Sequence, residues 1–295
     1  MEQLVPSVSS TVAGPLGIVH LPRLWLKAIL AETDSLYEGW IPDYKGLNKL
    51  VVDALGIDPE AFFAFLATLP SYPETERWIA AHAKPDAASI AASNSAILEF
   101  QRAEDLAAPA RERLGIADTT ERHSAMLNNY DDWDTMHRWL VEHQAEELAP
   151  IIPTVSSSSA GLLGAKHLPR LWIKALLKRV GALPDDYNTG CGFDAFAAST
   201  LGLDLDAAIA FIHAELPSYP AFERYVRDHI DVDPQKQSAY NAAIVGRQKP
   251  AEKAAAERAE IGVPELAFRD SIMCNDMLDW KALHDGVLAR RALRV

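Results

Sequence analysis

The chain has 295 residues, 49% of them apolar, with 41 acidic against 28 basic side chains and only two cysteines. The net charge of −13 argues against nucleic-acid partners and polybasic membrane contacts, and two cysteines exclude a disulfide scaffold and favour a reducing compartment. No apolar run reaches the roughly 18 residues of a spanning helix, and the start lacks the basic region of a signal peptide. We therefore predict a cytoplasmic protein without membrane contact.

Helix signals follow one another along the chain, and alternating β-branched runs are missing. Four prolines stand where the first turn of a helix favours proline: Pro22, Pro59, Pro73 and Pro85. Apolar residues recur every three or four positions in 59–69 and 205–214. Segments 88–113 and 235–260 are rich in strong helix formers. The pattern predicts an all-α protein with five to seven helices in each half.

A shift of 147 residues superimposes the chain on itself. HLPRLWLKAIL at 20–30 matches HLPRLWIKALL at 167–177, and LPSYP occurs at 69–73 and 216–220. A period this long indicates a duplicated domain, because solenoid repeats are only about 20–50 residues long.

We therefore predict two helical-bundle repeats packed as an intrachain pseudo-dimer about an approximate two-fold axis. The first, residues 1–147, carries 23 acidic and 11 basic groups, and the second, residues 148–295, carries 18 and 17. The molecule would be a monomer with this internal symmetry, or a homodimer of it.

The HLPRLW helix of each repeat is apolar on nearly all sides except for two cations. Arg23 and Lys27 are four residues apart and share a face, as do Arg170 and Lys174. An unpaired buried charge costs several kcal/mol, so these cations need an anion. That anion is either a ligand's carboxylate or phosphate, or an internal carboxylate; the internal candidates are Glu76, Glu223, Asp132 and Asp279.

A loop rich in Ser and Gly precedes each of these helices and ends at His20 or His167. Small residues allow backbone N–H groups to approach a ligand, and helix N-termini favour negative charge. The two histidines adjoin the cations and are the best candidates for a general acid or base. No nucleotide-binding motif and no metal-binding histidine spacing occurs, so we predict neither a cofactor nor a metal.

The order Leu-Gly, His-Leu-Pro-Arg, Lys-Ala, then Tyr-x-x-Gly-Cys and Asp, then Leu-Gly-Leu-Asp, resembles the bacterial family filed as domain of unknown function 5069. The resemblance covers the first half to two-thirds of each repeat and implies an all-helical bundle without a known activity. The second repeat keeps the family turn from Tyr187 to Asp194, with Cys191 between two glycines. The first repeat lacks the Gly-Cys and carries Asn48 near the place of Asp194.

The first functional hypothesis is a cofactor-independent lyase, isomerase or hydrolase that moves a proton on a small anionic molecule. Its pocket lies at the repeat interface or at the start of the HLPRLW helix. Arg170 and Lys174 hold the anion, His167 moves the proton, and Asp194 or Tyr187 orients it.

The other repeat would complete that pocket with Arg23, Lys27 and His20. Trp25 and Trp172 are either core residues or residues that stack on the ligand.

The second hypothesis is a non-catalytic module that binds a small ligand or a protein through the acidic first half. The cations then have a purely structural role. What distinguishes the two hypotheses is whether Arg170 and Lys174 face an internal carboxylate or an open cavity.

Overall fold

A computed structural model describes residues 3–83, 85–190, 192–231 and 233–293. Cys191 lies outside these ranges. Within them the chain is all-helical, as predicted, and forms fourteen α-helices with only isolated β-bridges between extended residues.

Seven helices belong to each sequence half, at the upper end of the predicted range. Those of the first half are α1 (Leu21–Glu32), α2 (Gly46–Leu55), α3 (Pro59–Leu66), α4 (Tyr72–His82), α5 (Ala87–Leu98), α6 (Glu104–Leu114) and α7 (Ser124–Glu142). Those of the second half are α8 (Leu168–Arg179), α9 (Phe193–Leu201), α10 (Leu205–Glu215), α11 (Tyr219–His229), α12 (Pro234–Val245), α13 (Ala251–Ile261) and α14 (Ser271–Ala292). In the part of the chain that is described, no single helix has the length and apolar composition to cross a membrane, although the bent pair α9 and α10 reaches that threshold jointly.

Three of the four prolines begin helices as predicted. Pro22, Pro59 and Pro73 occupy the first or second position of α1, α3 and α4. Pro85 instead precedes the N-cap, because Asp86 caps α5 and its carboxylate accepts a hydrogen bond from Ser89 N at 2.7 Å. A short carboxylate is among the most favourable N-caps, which moves the start of this helix two residues beyond the proline.

The described chain divides into two compact units. Unit 1 comprises Met1–Gln101 and Gln248–Val295, and unit 2 comprises Arg102–Arg247. This division differs from the boundary of the predicted repeats at 147/148. Each unit joins the first two-thirds of one sequence half to the C-terminal helices of the other half.

In unit 1, α14 packs on α4 through aromatic contacts. The Trp280 ring meets the Tyr72 ring edge to face, with centroids 4.7 Å apart, and Trp25 of α1 contacts the same tyrosine at 5.4 Å. His284 Nε2 donates to the carbonyl of Leu69 at 3.1 Å. The second sequence half thereby supplies part of the core around α1.

In unit 2, α7 packs on α11 in the same manner. Trp133 meets Tyr219 at 4.6 Å, Trp172 of α8 contacts Tyr219 at 5.4 Å, and His137 Nε2 donates to the carbonyl of Leu216 at 2.8 Å. The corresponding residues of the two halves thus make the same contacts, each with an element of the opposite half.

Because α14 belongs to unit 1 and α7 to unit 2, truncating a core side chain on one of these helices should destabilise only the unit that contains it. Trp280→Ala should lower the free energy of unfolding by about 3–5 kcal/mol, because it removes a fully buried ring. The loss of stability should be confined to unit 1. Hydrogen exchange should increase in α1 and α4 and stay unchanged in α8 and α11. The matched Trp133→Ala should give the opposite pattern, and an increase in α8 after Trp280→Ala would contradict the division.

Candidate functional site

The loop that precedes each HLPRLW helix ends at a histidine in a left-handed backbone conformation. His20 has φ 68° and His167 has φ 70°, and each is the N-cap of its helix. This conformation costs a residue other than glycine about 1–3 kcal/mol, so surrounding contacts must hold it in place. Both side chains are buried, and their ring contacts provide that restraint.

In unit 2, four buried side chains form what we term the Asp194 cluster: Ser157, His167, Lys174 and Asp194. His167 Nε2 donates to Asp194 Oδ1 at 2.8 Å, and Lys174 Nζ donates to Asp194 Oδ2 at 2.6 Å. Ser157 Oγ lies 2.9 Å from His167 Nδ1, and the backbone N–H of Gly190 reaches Asp194 Oδ2 at 3.1 Å. The structure thus brings together three of the predicted site residues.

The cluster is one buried ion pair beside a neutral imidazole. Burial opposes ionisation of Asp194, but the hydrogen bond from His167 and the charge of Lys174 outweigh it and lower the pKa of the carboxyl. Burial lowers the pKa of His167, and the bond to Asp194 offsets this only in part. With its imidazole neutral, the His167 ring accepts from the Ser157 hydroxyl and donates to the carboxylate.

In unit 1, an amide replaces the carboxylate. His20 Nε2 donates to Asn48 Oδ1 at 2.9 Å, Lys27 Nζ donates to the same oxygen at 3.2 Å, and Asn48 Nδ2 donates to the carbonyl of Asp43 at 2.7 Å. Burial lowers the pKa of His20 to about 3. Within the described residues, His20 Nδ1 and Ser10 Oγ are buried without a hydrogen-bond partner, whereas their counterparts in unit 2 are bonded to each other.

The two arginines bind the loop before their own helix. Arg170 Nη1 donates to the carbonyls of Pro153 and Val155, both at 2.9 Å. Arg23 Nη1 makes the same pair of bonds, to the carbonyls of Pro6 at 2.7 Å and Val8 at 2.9 Å. Both guanidinium groups therefore hold extended backbone against the helix.

The remaining predicted site residues lie in the core or in the turn before α9. Trp25 and Trp172 are fully buried, and each indole N–H donates to a backbone carbonyl, of Pro70 or Pro217, at 2.9 Å. Tyr187 is half-buried, and its backbone N–H donates to the carbonyl of Pro184 at 3.0 Å.

Glu76 in unit 1 is a buried carboxyl group that binds the Ser/Gly loop. Its Oε1 accepts from the backbone N–H of Leu16 at 3.1 Å and from the hydroxyl of Tyr72 at 2.9 Å. Burial raises the pKa of Glu76 from 4.5 to about 7. The carboxyl is therefore partly protonated near neutral pH, unlike an exposed glutamate.

Glu223 has the same role in unit 2. It accepts from Leu163 N at 3.0 Å, from the Tyr219 hydroxyl at 3.2 Å and from the Tyr130 hydroxyl, and burial raises its pKa. A Cβ atom at Gly161 would lie closer than 3.0 Å to this group. The loop glycine is required here for close approach of the backbone to an internal carboxyl group.

A cavity of about 490 Å³ lies in unit 2, where the ends of α9 and α11 meet the start of α12. Its apolar lining is Leu163, Leu201, Ile230, Ala239 and Tyr240, and its polar lining is Ser199, Thr200, His229, Asp231, Asp233, Lys236 and Gln237. None of the predicted site residues lines it. The sequence did hold a signal, because Lys236, Gln237 and Tyr240 correspond to Ser89, Ile90 and Ser93 in the first half.

No family model, curated protein or solved structure matches the chain. The resemblance to domain of unknown function 5069 therefore stays a prediction. Within the described residues, no group of three or more His, Cys, Asp or Glu side chains is arranged to hold a metal ion. The function must be inferred from the geometry alone.

The Asp194 cluster predicts a large effect of one substitution. Asp194→Asn should destabilise by about 3–5 kcal/mol at pH 7, because Lys174 stays buried without its counter-charge. The folded state lowers the pKa of Asp194, so its stabilisation is present above the unfolded value of about 3.8 and is lost as the pH falls below it. Urea titrations from pH 3 to 8 should show the two proteins converging at acid pH.

Two results would decide this prediction. Asn48→Ala in unit 1 serves as the matched control and should cost only about 1–3 kcal/mol, because Lys27 loses a neutral hydrogen-bond acceptor and not a counter-charge. Equal stability of Asp194→Asn and the wild type at pH 7 would contradict the assigned ion pair.

Glu76 predicts the opposite dependence on pH. The pKa of Glu76 is about 7 in the folded state and 4.5 in the unfolded state. Its contribution to the free energy of unfolding is therefore complete below pH 4.5 and is lost as the pH rises towards and beyond 7. Glu76→Gln should therefore gain stability over the wild type as the pH rises from 5 to 8, by up to about 3 kcal/mol. The gain should be absent at pH 4. A difference that does not change with pH would contradict burial of an ionisable group.

Proposed function

We propose that this chain is a non-catalytic small-ligand-binding protein. Its Arg and Lys side chains on α1 and α8 are structural, and its ligand occupies the cavity of unit 2. The observation that carries the proposal is that Lys174 faces the internal carboxylate of Asp194, while the cavity lies elsewhere and is lined by other residues.

The structural role of the cations is supported by the hydrogen bonds that their partner residues already make within the protein. Asp194 accepts three hydrogen bonds, from His167, Lys174 and Gly190, and its side chain is 0% exposed. His167 is 1% exposed and both its ring nitrogens are bonded within the protein. A substrate anion at this position would have to displace a buried carboxylate, at a cost of several kcal/mol.

A ligand-binding role for the cavity is supported by its size and lining. About 490 Å³ falls within the roughly 300–1,000 Å³ of known small-molecule sites. Leu163, Leu201 and Tyr240 provide apolar surface, and polar groups from three helix ends converge around it. This combination of an apolar floor and a few placed polar groups is typical of ligand pockets.

Gene duplication is part of the proposal. Residues at matching positions make matching contacts in the two units, as with His20 and His167, Glu76 and Glu223, or Trp280 and Trp133. The exchanged C-terminal helices are what fusion of two modules would leave if the ancestral homodimer had exchanged these helices. The structural contacts stayed alike while the cavity residues diverged.

The proton-transfer enzyme acting on a small anion is the second candidate function. It is favoured by one observation, the hydrogen bond between His167 and Asp194, which is the pairing that orients catalytic histidines. It ranks second because the imidazole is buried and Lys174 is already paired. Turnover of a small acid that is lost in His167→Asn at unchanged stability would establish the enzyme instead.

Blocking the cavity tests the binding function. Ala239→Trp places a large ring at an exposed cavity-lining position of α12 and should abolish the thermal stabilisation given by any small molecule that binds there. The measurement is a thermal-shift screen of small amines, acids and alcohols. The matched control is Ala92→Trp, at the corresponding exposed position of α5, which should keep every hit. Hits that survive Ala239→Trp would place the ligand elsewhere.

A further inference from the structure

We infer that the ligand of the unit 2 cavity is a small amine, bound as its ammonium ion with an apolar or aromatic body. This inference rests on the proposed binding function and specifies its ligand class. It follows from a count of which hydrogen-bonding groups around the cavity are already used within the protein and which are left for a ligand.

Donors of the lining side chains are mostly occupied. The hydroxyls of Ser199 and Thr200 both donate to the carbonyl of Phe196, at 3.1 and 2.7 Å. Their oxygens keep lone pairs, so a ligand meets acceptors at this side of the cavity.

Three other lining side chains also donate to carbonyls of the protein. Tyr240 donates its hydroxyl to the carbonyl of Lys166 at 2.5 Å, and Gln237 donates from its amide nitrogen to the carbonyl of Leu163. His229 donates through Nδ1 to the carbonyl of Tyr225 at 2.7 Å. Tyr240 and Gln237 each retain an oxygen lone pair, as the two hydroxyls do, and such a set suits a ligand that is rich in donors.

Helix ends around the cavity favour the same sign of charge. The C-terminal, partially negative end of α11 borders it at His229 and Ile230. The partially positive N-terminus of α12 borders it too, but the carboxylate of Asp233 already accepts from Gln235 N at 2.7 Å and Lys236 N at 3.3 Å. The positive helix end is therefore neutralised by the protein, and the negative end is available to a cation.

Among the lining residues that the structure describes, Lys236 is the one Lys or Arg side chain, and it is paired. Its Nζ lies 2.6 Å from Asp231 Oδ2, and both side chains are largely exposed. An ammonium ligand would compete with Lys236 for this carboxylate. Exposed pairs of this kind contribute little to stability because water screens them, so the exchange is weakly opposed.

The apolar lining residues indicate that the part of the ligand beyond its ammonium group is apolar. Leu163 and Tyr240 are buried, and Leu201, Ile230 and Ala239 add aliphatic surface beside them. A phenyl ring or a short alkyl chain would be stabilised here because its apolar surface is removed from water. Phenethylamine is therefore a suitable probe, with its ammonium group at the rim and its ring on the apolar floor.

The experiment compares three probes of similar shape on the full chain by isothermal calorimetry: phenethylamine, 3-phenylpropionate and 3-phenylpropan-1-ol. Phenethylamine should bind most tightly, and Ala239→Trp should abolish its binding. Asp231→Asn should weaken it about fivefold, and Lys236→Met should strengthen it, because that variant removes the competing cation. Both substituted side chains are exposed, so the variants should fold.

Each outcome bears on a different claim. Tighter binding of 3-phenylpropionate, or equal binding of the neutral alcohol, at a site blocked by Ala239→Trp would overturn the amine assignment and leave the binding function standing. Failure of all three probes would overturn the amine assignment too. The proposed function itself would fall only if no hit of the wider screen depended on Ala239. Opposite shifts for Asp231→Asn and Lys236→Met would establish the amine.

Discussion

The first helix of each sequence half carries an Arg and a Lys on a largely apolar face, and the protein must supply both with hydrogen-bond acceptors. Arg23 and Arg170 each donate to two carbonyls of the preceding loop. Lys27 donates to the amide of Asn48 in α2, and Lys174 forms an ion pair with Asp194 in α9. The same loops end at the left-handed histidines, whose rings bond to Asn48 and Asp194 beside the lysines.

A second buried polar system holds the Ser/Gly loop to α4 in unit 1 and to α11 in unit 2. Glu76 and Glu223 accept backbone N–H bonds from the loop and hydroxyl bonds from tyrosines one turn away on the same helix. Their raised pKa values and the lowered pKa of Asp194 make the two carboxyl systems respond to pH in opposite directions. These two systems therefore favour a mildly acidic pH, above the loss of the Asp194 ion pair near pH 3.8 and below the ionisation of Glu76 as the pH rises from 4.5 towards 7.

The exchange of C-terminal helices connects the two halves more closely than a linker would. Because α7 completes unit 2 and α14 completes unit 1, neither sequence half encloses its own aromatic core. Contacts that build this core are shared by the halves, whereas the lining of the unit 2 cavity is not. Function is therefore best sought where the halves differ and the side chains are accessible, which is the end of α9, α11 and α12.

The sequence by itself determined the helical class and the starts of α1, α3 and α4, because these depend on local spacing and on proline positions. It also placed His167, Lys174 and Asp194 in one predicted site. It also limited the cations to an internal or an external anion. For Lys174 only the tertiary structure decided between these, since Asp194 in the first turn of α9 lies 20 residues away in the chain and reaches the lysine through folding. It alone revealed the exchanged helices and the cavity, because both arise where segments distant in the chain pack together.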